Sequence, residues 1–160
     1  MGVEVMLLVS RQGKVRLTKF YKAYEKKEKA RIVREISSMV LSRPNKLCNF
    51  LAWRTGTIVY KRYASLYFIS VIDNKSNELL QLEQIHLYVE ILDRYFGNVC
   101  ELDVIFNFNR CYHILDELLL GGELEETSKR EVLRVAAAQD ELVEDDIKKE
   151  TPLNRFKLKA

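Results

Sequence analysis

The chain has 160 residues, 48% of them hydrophobic and 31% charged, with a formal net charge of +3. That is room for one domain with an ordinary core and a short tail. Two prolines and six glycines leave little scope for a low-complexity linker, and no stretch approaches the roughly 20 apolar residues that a membrane span needs.

Charge is unevenly spread. Up to Lys46 there are 12 Lys and Arg against four Asp and Glu; after it, 14 against 19. The basic front half suits phosphates or acidic peptides as partners, or simply a solvated lysine-rich helix face. The N-terminus lacks a charged, apolar and cleavable signal pattern. Gly2 is followed by Met6 where a myristoylation signal needs Ser or Thr. A cytosolic domain is expected. Cys48, Cys100 and Cys111 are odd in number and lack CxxC spacing, so they read as buried apolar residues rather than a zinc site or disulfide framework.

In chain order, Val3, Val5, Leu7 and Val9 alternate with Glu4, Met6, Leu8 and Ser10, the period of a strand. Gln12-Gly13 marks a turn. From Arg16 onward the pattern predicts helix, clearest over 26–41, where Ile32, Val33, Ile36 and Val40 share one face. Arg43-Pro44-Asn45 ends it. Segments 47–53, 57–63 and 64–72 are rich in β-branched and aromatic residues, with Arg54-Thr55-Gly56 as a hairpin turn. The run 66–72 is apolar on both faces, as a central strand must be when each side is covered. After a 73–77 loop, Leu82, Ile85, Val89, Leu92 and Phe96 take helical spacing, and Leu80, Leu87 and Ile91 widen that stripe. Gly97 is the expected C-cap. A single helix is expected over 104–120, stopped by Gly121-Gly122, and a last one from Thr127 or Ser128 to about Val143. Residues 144–160 form a charged tail with too little apolar content to pack. The order predicts an α+β fold with helices against the faces of a sheet.

No catalytic constellation emerges. Asp116-Glu117 and Asp145-Asp146 are adjacent pairs that diverge on a helix. GxSxG, HExxH and a phosphate-binding glycine loop are all missing from the sequence. His86 and His113 read as hydrogen-bonded structural residues, too few for a metal site. Basic residues interleave with aromatics at 19–27 and 60–67, a pattern that stacking platforms for nucleic acid use, yet the pI of 8.7 is moderate and no RNA-binding signature accompanies them. The expectation is a non-enzyme without cofactor, metal or nucleic acid.

The stretches SRQGKVRLTKFY (10–21), YKRYASLYF (60–68), HLYVEILDRYFGNVCELDVIFNF (86–108) and LDELLLGGELEETSK (115–129) resemble the small (sigma) subunits of clathrin adaptor complexes. The resemblance covers about 1–143. Ser10-Arg11-Gln12, Ser65 and Gly121-Gly122 are more similar to the type 1 (trans-Golgi and endosomal) small subunit than to type 2. It implies a longin-like domain, a five-stranded antiparallel sheet packed between helices. It also implies a heterotetramer with two large chains and one medium chain, and contact with clathrin and an Arf-family GTPase through that complex. The complex would be peripheral on trans-Golgi, endosomal and coated-vesicle membranes.

The same resemblance implies binding of acidic dileucine sorting signals, (D/E)xxxL(L/I), from cargo tails. Their aliphatic pair would sit among Ala64, Leu66, Val89, Val99, Leu102 and Val104, in a preformed dent. Asn98 would offer a polar contact, and Arg16, with an arginine from a large chain, would meet the acid. Read from the residues alone, Leu66, Val89 and Leu102 fit a plain core equally well, and Arg16 an ordinary helix-start arginine. Other readings in the same field are a small subunit of another adaptor type, coatomer zeta, or a longin regulatory domain of a SNARE or GTPase regulator.

Overall fold

The computed structural model describes residues 2–44, 49–120 and 123–124. Two strands, β1 (Val3–Ser10) and β2 (Val15–Phe20), precede helix α1 (Lys26–Leu41). Strands β3 (Phe50–Trp53), β4 (Gly56–Tyr63) and β5 (Leu66–Asp73) follow, then helices α2 (Glu78–Phe96), α3 (Glu101–Phe106) and α4 (Phe108–Leu118). Two short strands, β6 (Leu119–Leu120) and β7 (Glu123–Leu124), pair with each other. The main sheet has the order β2-β1-β5-β4-β3 with every neighbour antiparallel. This is the expected five-stranded α+β, longin-type arrangement.

β5 is the middle strand, and Leu66 through Ile72 are all buried. The pleat sends alternate side chains to opposite faces. Tyr67, Ile69 and Val71 join Leu7 and Ile58 against Ile32, Ile36 and Val40 of α1. Leu66, Phe68 and Ile72 join Met6 and Leu8 against Ile85, Tyr88 and Leu92 of α2. Val3 lies on the α2 side although Val5 lies on the α1 side. The register shift between them moves the extra residue, so the simple alternation read through Val3 fails at a bulge.

The stretch after Arg16 is the clearest departure from expectation. It is a strand, not a helix: Ser10 N–H donates to the Lys14 carbonyl (2.8 Å) and the chain turns back so that Leu17 pairs with Leu8. Lysine and arginine suit helices, but this hairpin buries Leu17 against the sheet and tertiary pairing overrides propensity. β2 is an edge strand, and α4 covers its free side. The Tyr112 hydroxyl donates to the Thr18 carbonyl (2.7 Å) and accepts from Thr18 N–H (3.1 Å), occupying edge groups that otherwise invite another strand.

The helix expected over 104–120 is also corrected. It starts at Glu101, breaks at Asn107 (φ −127°, ψ 36°) into α3 and α4, and gives way to β6 at Leu119. Cys100 is exposed at the N-cap of α3, where its N–H donates to the Asp103 carboxylate (2.9 Å). Its expected burial is therefore wrong, because helix capping places it in a loop; Cys111 is buried as expected. Gly97 caps α2 in the left-handed region, φ +64°. At the other end of that helix the Asn77 side chain accepts from Leu79 and Leu80 N–H. At the β3–β4 turn, a Cβ on Gly56 would lie 2.3 Å from the Ile72 carbonyl oxygen, so only glycine fits. Cys48, the glycine pair 121–122, the helix expected up to Val143 and the 144–160 tail lie outside the described residues.

Inside the α2 layer, burial pushes the Cys111 thiol up to about 12 and raises the phenols of Tyr88 and Tyr21. Tyr88 donates its hydroxyl to the Cys111 carbonyl (2.8 Å). These groups stay neutral in the folded chain while they ionise in the unfolded one, so the unfolded state loses protons first and stability falls as pH rises. Resistance to urea should hold level to about pH 8 and decline between about 9 and 12 as Cys111 is called on to ionise; urea titrations at stepped pH read this directly.

Candidate functional site

Residues from four places meet on the α2 side of the sheet near the β4–β5 turn. Leu66 opens β5, Val89 lies in α2, Val99 follows the α2 cap, and Val104 lies in α3. All four belong to one buried cluster and are at most 3% exposed. The expected preformed dent is therefore closed in this chain. α3 and the 97–100 loop contribute Val104 and Val99 to the same cluster, and burying these groups gains more than leaving an empty hollow. Leu102 does not share this fate. It points outward from α3, 60% exposed.

Ala64 and Asn98 stand at the rim, both exposed. With Arg54 they are the non-glycine residues at positive φ among those described, at +53° and +66°. Such conformations cost energy unless the surroundings impose them. Asp93 does the imposing. Its Oδ1 accepts from the Tyr63 hydroxyl (2.7 Å) and from Val99 N–H (3.0 Å), while its carbonyl accepts from Asn98 N–H (3.1 Å). One carboxylate thus ties the turn before Ala64 to the loop carrying Asn98 and Val99. The bond to Asp93 holds the Tyr63 phenol above its ordinary value, by hydrogen bonding first and burial second.

Arg16 leaves β2 and points to α3. Its Nε donates to Glu101 Oε1 at 2.8 Å, with the two side chains 24% and 21% exposed. It lies beside the helix that carries Leu102, and its partner in this chain is internal. Asp93 and Glu101 escaped the sequence reading. Glu101 sits inside the NVCELD stretch, yet nothing in periodicity or spacing marks a helix-start carboxylate as the partner of a residue 85 positions away.

The aromatic residues of the two basic stretches are used up in packing. Phe20 and Tyr24 meet edge to face and lie on the α1 core, with Lys29 over the Phe20 ring. Tyr60 and Tyr67 are buried. His86 is exposed, bridging Glu90 (2.7 Å) and the Lys61 amine (2.6 Å). Asp116 pairs with Lys19 at 3.2 Å on the surface.

A family model, "Clathrin adaptor complex small chain", matches residues 2–143. The chain belongs to that family. It is 62% identical over 142 residues to the AP-1 complex subunit sigma-2 of Arabidopsis thaliana, covering 89% of this chain and 88% of that one. It is 56% identical over 141 residues to the human AP-1 complex subunit sigma-1A, covering 88% and 89%. Among solved structures, a chain of a "Homology model of the full-length AP-3 complex in a stretched open conformation" superposes with a TM-score of 0.73 at 26% identity, over 92% of this chain and 98% of that one. The resemblance to type 1 small chains thus stands on the relatives themselves. Within this adaptor small chain, no helix among the described residues is long and apolar enough to cross a membrane.

Replacing Asp93 by alanine should lower the melting temperature of this adaptor small chain by about 5 °C and speed amide exchange at Asn98 and Val99. Asp93→Asn, which keeps an acceptor, should lose less. Differential scanning fluorimetry with hydrogen-exchange mass spectrometry checks both.

Proposed function

We propose that this chain is the small subunit of a heterotetrameric clathrin adaptor complex in vesicle transport between the trans-Golgi network and endosomes. In that role it stabilises the complex core and helps bind acidic dileucine signals. The observation that carries the reading is identity of 56–62% to AP-1 sigma subunits across almost nine-tenths of the chain.

Assembly with two large chains and one medium chain has physical support in the surface. Leu79 and Leu80 at the start of α2, and Phe106 and Phe108 around the α3–α4 break, are exposed. Large apolar side chains grouped this way lose less when a partner covers them. Clathrin and an Arf-family GTPase would be reached through the assembled complex, which holds the chain peripherally on the cytosolic membrane face. Expressed in cells with an affinity tag, the chain should co-purify with two large chains and a medium one; recovery of the tagged chain alone would remove the assembly.

For the signal, the aliphatic pair would lodge against Leu66, Val89, Val99 and Val104 once the six-residue α3 moves outward. Leu102, Ala64 and Asn98 would form the rim. Arg16, together with an arginine of a large chain, would meet the acidic residue. Burial of each leucine contributes about 1.5–3 kcal/mol, whereas a solvated Arg–carboxylate contact adds about 0–1 kcal/mol. The leucines set affinity, and the arginine sets register. Several weak contacts on one membrane then combine.

Leu102→Ser is the informative substitution because the side chain is exposed and its loss leaves the core intact. It should cut retention on dileucine-peptide resin by about tenfold while co-purification of the other chains is unchanged. Val89→Asp also abolishes binding, but it places a carboxylate in the core and should unfold the chain as well.

A further inference from the structure

Of the features outside the reading above, the hollow lined by Val40, Arg43, Asn49, Tyr60, Arg62 and Tyr67 borders residues that are not described. The exposed apolar side chains of α2 and α4 point to no occupant more specific than a partner chain. The Arg16–Glu101 pair carries more. It joins the edge strand β2 to α3 across 85 positions, and α3 is the short element that contributes Val104 to the closed aliphatic cluster.

Three facts converge on it. The acceptor held by Arg16 is a carboxylate, the same group that the acidic residue of a signal would present. The pair is partly solvated, at 24% and 21% exposure, so exchange with another carboxylate costs little. Glu101 is also the first residue of α3, so the pair ties the start of that helix to β2.

Resting on the signal-binding reading, we propose that Glu101 is an internal stand-in for the signal's acidic residue. It occupies Arg16 and latches α3 over the Leu66–Val89–Val99–Val104 cluster until an incoming carboxylate displaces it. Glu101 is thereby a specificity-determining residue. A ligand with the leucine pair but no acid has to open α3 without any compensating contact to Arg16.

The test uses the reconstituted complex carrying wild-type chain or Glu101→Gln, which keeps the side chain's size and loses its charge. Binding is read by fluorescence anisotropy with a labelled (D/E)xxxLL peptide, its analogue with Gln at the acidic position, and a control with both leucines replaced by alanine. Glu101→Gln should tighten the acidic peptide and its Gln analogue alike, by about two- to fivefold, because neither then has to break the pair. Adding Arg16→Gln should remove the acidic peptide's advantage over the analogue. In the absence of peptide, amide exchange over 102–106 should rise in Glu101→Gln.

Acidic-peptide affinity that is unchanged or weakened, with leucine-dependent binding intact, overturns the stand-in role and makes Glu101 a residue that orients Arg16. Unchanged exchange over 102–106 overturns the latch, whatever the peptides do. If wild type and variant bind the acidic peptide no better than the alanine control, the signal-binding reading itself fails and takes the stand-in role with it. In that case a rise in exchange still shows α3 to be held by the pair.

Discussion

Burial of β5 on both faces is the constraint from which the remaining architecture follows. A strand with Leu66, Phe68 and Ile72 on one side and Tyr67, Ile69 and Val71 on the other needs an apolar layer above and below. α1 supplies one layer and α2, with α3 and α4, the other. Because β5 is central, it also sets the register of β1 and β4 through antiparallel ladders on each edge. Everything that a partner or ligand meets is arranged around this double core.

The candidate site sits where the α2-side core reaches the surface. Its residues come from β2, the β4–β5 turn, β5, α2, the α2–α3 loop and α3, and polar contacts join several of these. Asp93 joins the Tyr63 hydroxyl to Val99 N–H, and Arg16 joins β2 to Glu101. Polar groups thus join the elements that surround the apolar cluster. Such a division would serve the proposed recognition of a short extended peptide, with hydrophobic burial supplying affinity and a small number of exchangeable polar contacts regulating access to it.

Much of the fold was legible in periodicity. Ile32, Ile36 and Val40 located α1, the two-sided run at 66–72 located the central strand, and Gly97 located the end of α2. The failures have specific causes. Arg16 to Phe20 carries helix-favouring basic residues, but the turn at Gln12-Gly13 brings it back onto β1, and pairing with a neighbour outweighs local preference. The single helix expected from Val104 to Leu120 missed the capping contact between Cys100 and Asp103 and the break at Asn107, both of which lie within one turn and leave no mark on the hydrophobic spacing. At the site, the resemblance pointed to Leu66, Val89, Val99 and Val104 as a group, and the structure does gather them into one cluster, closed rather than open.

What the sequence by itself determined is the placing of β1, α1, β5 and α2, the alternation that assigns most of their side chains to two faces, and membership of a family through runs such as YASLYF and NVCELD. These depend on neighbours within a few residues, or on words long enough to be specific. What only the tertiary structure decided is the fate of individual side chains: Leu102 outside and Val104 inside, Cys100 exposed and Cys111 buried, Arg16 engaged by Glu101. Those outcomes are set by contacts between residues tens of positions apart, and distance in sequence carries no signal of them until the chain has folded.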